Sequence, residues 1–123
     1  MKRRRKIILT RKPLRATASP DDGCRILTTW QAWHLFSPSR KLVEDLKTGE
    51  IGEERYKDLY YVFDFPYESD IKVWIQGLRD AGAEKITFLC YCADGAFCHT
   101  HLAIDRLLRD FGKYFIDWRK ADG

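Results

Sequence analysis

At 123 residues, with 45% hydrophobic and 14% aromatic content, the chain is long enough for one domain with a real core and too apolar for a disordered segment. Its formal charge of +4 hides an asymmetry: residues 1–15 hold eight Lys or Arg and no acid, while the rest holds 14 basic and 18 acidic residues, a balance of −4. No apolar run approaches the roughly 20 residues that span a bilayer, and the short Ile7-Ile8-Leu9 stretch is closely followed by Arg11-Lys12 and is no signal peptide, so an intracellular, cytoplasmic protein without a membrane partner is expected.

Along the chain, Lys6 to Thr10 reads as a first strand. Residues 11–23 form a loop with Pro13, Ser19, Pro20, Asp21, Asp22 and Gly23 as turn formers. Cys24 to Trp30 is rich in strand-favouring residues and reads as a second strand, followed by a connector with Trp33, His34 and Phe36. Ser37-Pro38 has the form of an N-cap and first helical residue, Leu42, Val43 and Leu46 give the apolar face of that helix, and Gly49 stops it. Glu53-Glu54 opens a further helix lined by Tyr56, Leu59 and Tyr60. A third helix is capped by Ser69 or Asp70, carries Ile71, Trp74, Ile75 and Leu78 at i, i+3, i+4, i+7 spacing, and ends at Gly82.

Lys85 to Cys92 is the strongest strand pattern. Ile86, Phe88, Cys90 and Cys92 lie on one face, Leu89 and Tyr91 on the other, as in a strand buried inside a helix-covered sheet. A helix from about Cys98 to Phe111 and a last strand at Tyr114-Phe115-Ile116 complete the pattern. This alternation predicts a single α/β domain over residues 1–123. Its architecture is a small three-layer Rossmann-like sandwich with right-handed crossovers and a mostly parallel sheet of about four strands.

The run from Cys90 to His101 carries three of the four cysteines and two of the three histidines, and it falls on a strand–loop–helix junction. In α/β proteins ligands bind at such junctions, where helix N–H groups point outward. The pattern of an apolar strand ending in Cys, an acidic loop residue, and Cys-His opening a helix is present as Phe88-Leu89-Cys90-Tyr91, Asp94 and Cys98-His99. It resembles the domain of unknown function 488 family. A second block agrees: a Pro-Ser helix at Phe36 to Leu42, a Gly-containing turn at Lys47 to Ile51, and a Tyr-bearing helix from Glu53 to Tyr56. Together the blocks cover residues 36–111. The family usually has Arg after Cys-His, where this chain has Thr100. The resemblance implies an α/β fold, an intracellular setting and a prokaryotic or viral source, and it carries no settled activity.

The residues themselves point first to an anion site. Gly95, Cys98, His99 and Thr100 surround the helix start, and the small residues of the loop let backbone approach a ligand. Cys92 or Cys98 is placed to act as a thiolate nucleophile, Asp94 as acid or base, and His99 as the partner of a thiol. The expected partner is a small anionic ligand such as a nucleotide or phosphate compound, with no cofactor. The alternative is a noncatalytic nucleic-acid module working through Arg3, Arg4 and Arg5 of the basic arm.

Three further readings compete with these. A metal is not expected, because Cys90 and Cys92, two apart on a buried strand, rarely aim both sulfurs at one ion. A disulfide needs Cα separations that spacing does not supply. Cys24, Cys90 and Cys92 also fit as small core residues. Of the aromatic residues, the Trp30 to Phe36 cluster is the one placed to wall a pocket shared with Cys98 and His99.

Overall fold

The structure is a computed structural model that describes residues 6–92 and 97–118. The candidate residues Arg3, Arg4, Arg5, Asp94 and Gly95 lie outside the described residues. Among the described residues, four strands form one all-parallel sheet flanked by four α-helices, a small Rossmann-like α/β sandwich.

Strand β1 (Ile7–Pro13) alternates strictly, with Ile7, Leu9, Arg11 and Pro13 buried and the residues between them half-buried. Strand β3 (Lys85–Cys90) runs between β1 and β2 (Cys24–Leu27), and β4 (Phe115–Asp117) pairs the far side of β1, giving the order β2-β3-β1-β4. The central place of β3 explains its unbroken burial from Ile86 to Cys90: both faces are covered and both edges are paired.

In this register Leu9 stands beside Ile86 and Ile26 beside Phe88, so Ile7, Leu9, Ile26, Ile86, Phe88 and Phe115 share one face. Helix α3 (Glu68–Asp80) adds Ile71 and Ile75 to that face, and helix α4 (His99–Asp110) adds Ala103, Ile104 and Leu107. Phe36 and Trp74 meet Phe88 at ring separations of 5.6 and 6.2 Å. The opposite face is covered differently. There a 3-10 turn, Pro20–Asp22, lies against β3, and the Thr87 hydroxyl donates to the Asp22 carbonyl at 2.6 Å. Gly23 makes this approach possible: its φ is +65°, and a Cβ there would sit 2.5 Å from the Lys85 carbonyl oxygen.

Helix α1 (Arg40–Thr48) and helix α2 (Glu53–Leu59) form a second cluster with Leu42, Tyr56, Tyr60 and Leu102. The chain leaves α2 through a π turn, Tyr60–Asp64, closed by Phe65 N–H donating to the Tyr60 carbonyl at 2.7 Å.

Several boundaries differ from the sequence-based expectation, each for a local reason. Helix α1 starts two residues later, capped by Ser39, whose hydroxyl accepts from Leu42 N–H at 3.2 Å. Ser37 is already engaged, because its hydroxyl accepts from His34 N–H at 3.0 Å in the preceding turn. Tyr67, not Ser69 or Asp70, occupies the cap of α3, which leaves Asp70 in the first turn where it complements the helix dipole. Strand β1 continues to Pro13, and β2 stops at Leu27 before the turn Trp30–Ala32. Cys24 is exposed at the start of edge strand β2, so the expected core role for it is corrected.

Candidate functional site

The site begins with the early end of β3. The strand closes at Cys90, Tyr91 turns outward to 64% exposure, and Cys92 is half-buried just beyond. On the far side of residues 93–96, Cys98 caps α4 in extended geometry and is buried. The three sulfurs lie within 4.8 Å of one another, with Cys90 Sγ and Cys98 Sγ 3.1 Å apart. The expectation that Cys90 and Cys92 rarely aim at one ion took the strand to run through Cys92, which holds the two on one face roughly 6–7 Å apart. The chain instead leaves the strand at Cys90 and turns at Tyr91, and the Cys92 sulfur lies within 4.8 Å of the other two.

Arg11 is the residue that sequence reasoning missed. It was counted with the basic arm, yet it is 6% exposed on the inward face of β1. Its Nε donates to Thr100 Oγ1 at 2.9 Å, and its Nη2 donates to the Cys92 carbonyl at 2.7 Å and to Cys90 Sγ at 3.1 Å. The signal was parity: Ile7, Leu9 and Arg11 are two apart, so the apolar face of β1 leads straight to the guanidinium. Thr100, in the first turn of α4, receives its Nε.

The hydrogen bonds fix a direction through the cluster. Thr28 Oγ1 donates to the Leu89 carbonyl at 3.0 Å, so its lone pair accepts from His99 Nε2 at 3.1 Å. That assigns the proton to Nε2 and leaves His99 Nδ1 as an acceptor 3.6 Å from Cys98 Sγ. Thr100 accepts from Arg11 and donates to Cys98 Sγ at 3.3 Å.

Electrostatics follow from this wiring. Cys90 is held well below the ordinary thiol range, because the Cys92 and Cys98 thiols and the Arg11 guanidinium all stabilise its thiolate. Cys98 is pushed up by the neighbouring Cys90 and Cys92 and by burial, and Cys92 is raised chiefly by Cys90. One negative charge is thus accommodated among three sulfurs. Burial lowers His99 to about 4, so the imidazole is neutral at pH 7.

A cavity of about 240 Å³ opens beside the cluster, at the C-terminal ends of β2 and β3. Cys90, Cys92, Cys98 and His99 form its floor. Its walls include Trp30, Lys47 of α1, Tyr56 of α2 and Phe97, with Tyr56 and Phe97 packed edge to face at 5.3 Å. Burial raises Tyr56 far above the usual phenol range, so it presents a neutral hydroxyl.

The structure therefore brings Cys92, Cys98 and His99 together on one cavity, and Trp30 joins them. It does not bring the whole aromatic cluster: Phe36 is in the core, Trp33 is 89% exposed, and His34 stacks on Phe36 at 5.9 Å. Thr100 is absent from the lining, and its hydroxyl is committed to Arg11 and Cys98 behind the floor. Lys47 carried no signal as a site residue, because only the packing of α1 over the β3–α4 junction brings it there. No protein-family model, curated protein or solved structure matches the chain significantly.

Proposed function

We propose that the chain is a member of the domain of unknown function 488 family that binds a small anionic ligand, of the nucleotide or phosphate-compound class, in the cavity beside Cys92, Cys98 and His99. The observation that carries this reading is the convergence of its parts. Cys90, Cys92, Cys98 and His99 of the first stretch form the floor, and the helices of the second stretch contribute Lys47 and Tyr56 to the wall, so residues from both stretches behind the family resemblance meet at one cavity. Trp30, Tyr56 and Phe97 offer flat apolar surface for a base. Lys47 and the first turn of α4 offer positive potential for a phosphate, supported from behind by Arg11. Cys92, half-buried and on the lining, is the sulfur with the readiest access to a bound ligand.

Calorimetric titration with AMP and with inorganic phosphate tests the reading on three proteins: the full chain, a chain beginning at residue 6, and Lys47→Ala. Saturable AMP binding is expected, unchanged by removal of residues 1–5. Lys47→Ala weakens it about three- to fivefold, the effect of one solvent-facing charge pair. Binding that vanishes with residues 1–5 and falls steeply with salt supports the nucleic-acid alternative instead. Failure of all three proteins to bind either ligand overturns the cavity reading.

A further inference from the structure

We propose that Cys90, Cys92 and Cys98 form a three-thiolate zinc centre whose fourth coordination position faces the cavity. The inference rests on the same cavity as the ligand-binding reading but has its own readout. Zinc–thiolate bonds of about 2.3 Å place tetrahedral sulfurs about 3.8 Å apart. The three Sγ atoms already lie within 4.8 Å of one another. The Cys90–Cys98 separation of 3.1 Å has to widen by only about 0.7 Å to reach that spacing.

The framework suits a metal site. Cys90 is the last residue of the buried central strand, and Cys98 is the cap of a twelve-residue helix, so two ligands sit on rigid elements. Cys92 lies in the turn between them and supplies the adaptable third. All three line the cavity, so an ion held by them is reached from that side. Three protein ligands with an open fourth position is the layout of a zinc site that takes up water or a ligand, as opposed to a closed structural site.

The surroundings are those of thiolates. Arg11 Nη2 donates to Cys90 Sγ at 3.1 Å, and the Thr100 hydroxyl donates to Cys98 Sγ at 3.3 Å. Donors of this kind orient ligating sulfurs and moderate their charge. Three thiolates and a divalent ion sum to −1, and the buried Arg11 guanidinium lies against that charge at Cys90 Sγ. Sulfur-only coordination selects a soft ion over magnesium or calcium, and tetrahedral preference without redox chemistry selects zinc. Each thiol that ligates releases its proton to solvent. The open position would then take an oxygen of the anionic ligand, which makes the ion the anchor of the ligand inferred above.

The test uses the full chain produced with zinc in the medium and purified under reducing conditions without chelator. One zinc per chain is expected. Cobalt substituted for zinc should give the intense absorption of four-coordinate thiolate cobalt, and inorganic phosphate or AMP should shift that spectrum. Cys92→Ser, at a half-buried position that tolerates the change, should lower metal affinity at least tenfold. Cys24→Ser, at the exposed cysteine on β2, should leave it unchanged. The proposal is overturned by a folded wild-type chain that binds no zinc when the metal is in excess. It is equally overturned by a mass two hydrogens short that identifies a Cys90–Cys98 disulfide under those conditions, or by Cys92→Ser retaining full affinity. Zinc absent with AMP binding intact removes this inference alone; zinc bound with neither AMP nor phosphate bound removes the cavity reading alone.

Discussion

Arg11 and Lys12 are neighbours on β1 and face opposite sides of the sheet, and their partners differ in kind. Lys12 Nζ meets Asp22 Oδ1 at 2.6 Å, and Arg25 Nη1 meets Asp22 Oδ2 at 3.2 Å. Ser19 N–H also donates to Asp22 Oδ2, at 3.0 Å, so this carboxylate ties β1, β2 and the covering turn together. Arg11 instead meets Cys90 Sγ, Thr100 Oγ1 and the Cys92 carbonyl at the floor of a cavity. On one face a carboxylate gathers two cations and a backbone N–H, and the result is a fixed structural tie. On the other a guanidinium reaches a sulfur that can change protonation, oxidise or take a metal, and the result is chemical capacity beside an open space. A carboxylate shared by three segments ties the fold, whereas a buried cation beside thiols prepares a site.

The sharpest way to break this comparison is Arg11→Met. It removes the donor to the Thr100 oxygen and to the Cys92 carbonyl and takes the cation away from the Cys90 sulfur, so we expect a loss of about 3–5 kcal/mol by urea unfolding. A loss below about 1 kcal/mol would show that the sulfur cluster stands without Arg11. Thr100→Val keeps the shape and removes the hydroxyl between Arg11 and Cys98, with an expected cost of about 1–2 kcal/mol in the same assay.

The other face is probed through pH. Hydrogen bonds from Lys12 and Ser19 hold Asp22 below its ordinary value. A depressed carboxylate stabilises the fold above the unfolded aspartate pKa and stops doing so as pH falls through the lower folded value. The wild-type urea midpoint should therefore exceed that of Asp22→Asn at neutral pH, and the gap should narrow below about pH 4. A gap of constant size would mean that Asp22 acts through shape and not charge. Smallest of all, Glu44→Gln on α1 removes an exposed pair with Arg40 and should shift stability by no more than about 0.5 kcal/mol.

The apolar periodicities of β3, α3 and α4 suffice to place those elements from the sequence, and Cys98-His99 reads as the helix start where the structure has it. What escaped was set by packing and by local turns. Arg11 ended the apolar run of β1 and was grouped by charge with the residues before it, although its parity with Ile7 and Leu9 pointed inward. Ending β3 at Cys90 instead of Cys92 altered the chemistry, because the turn at Tyr91 is what gathers three sulfurs. Lys47 reaches the cavity only because α1 folds over the β3–α4 junction, a contact between segments more than forty residues apart that no local pattern encodes.

The most direct test of the account is an amide and indole NMR titration of the full chain with AMP. Ligand in the cavity should shift His99, Lys47 and the Trp30 indole together in a saturable manner, while Trp33, exposed outside the cavity, stays unmoved. Shifts confined to residues 1–5, or none at His99 and Lys47 under saturating ligand, would contradict it.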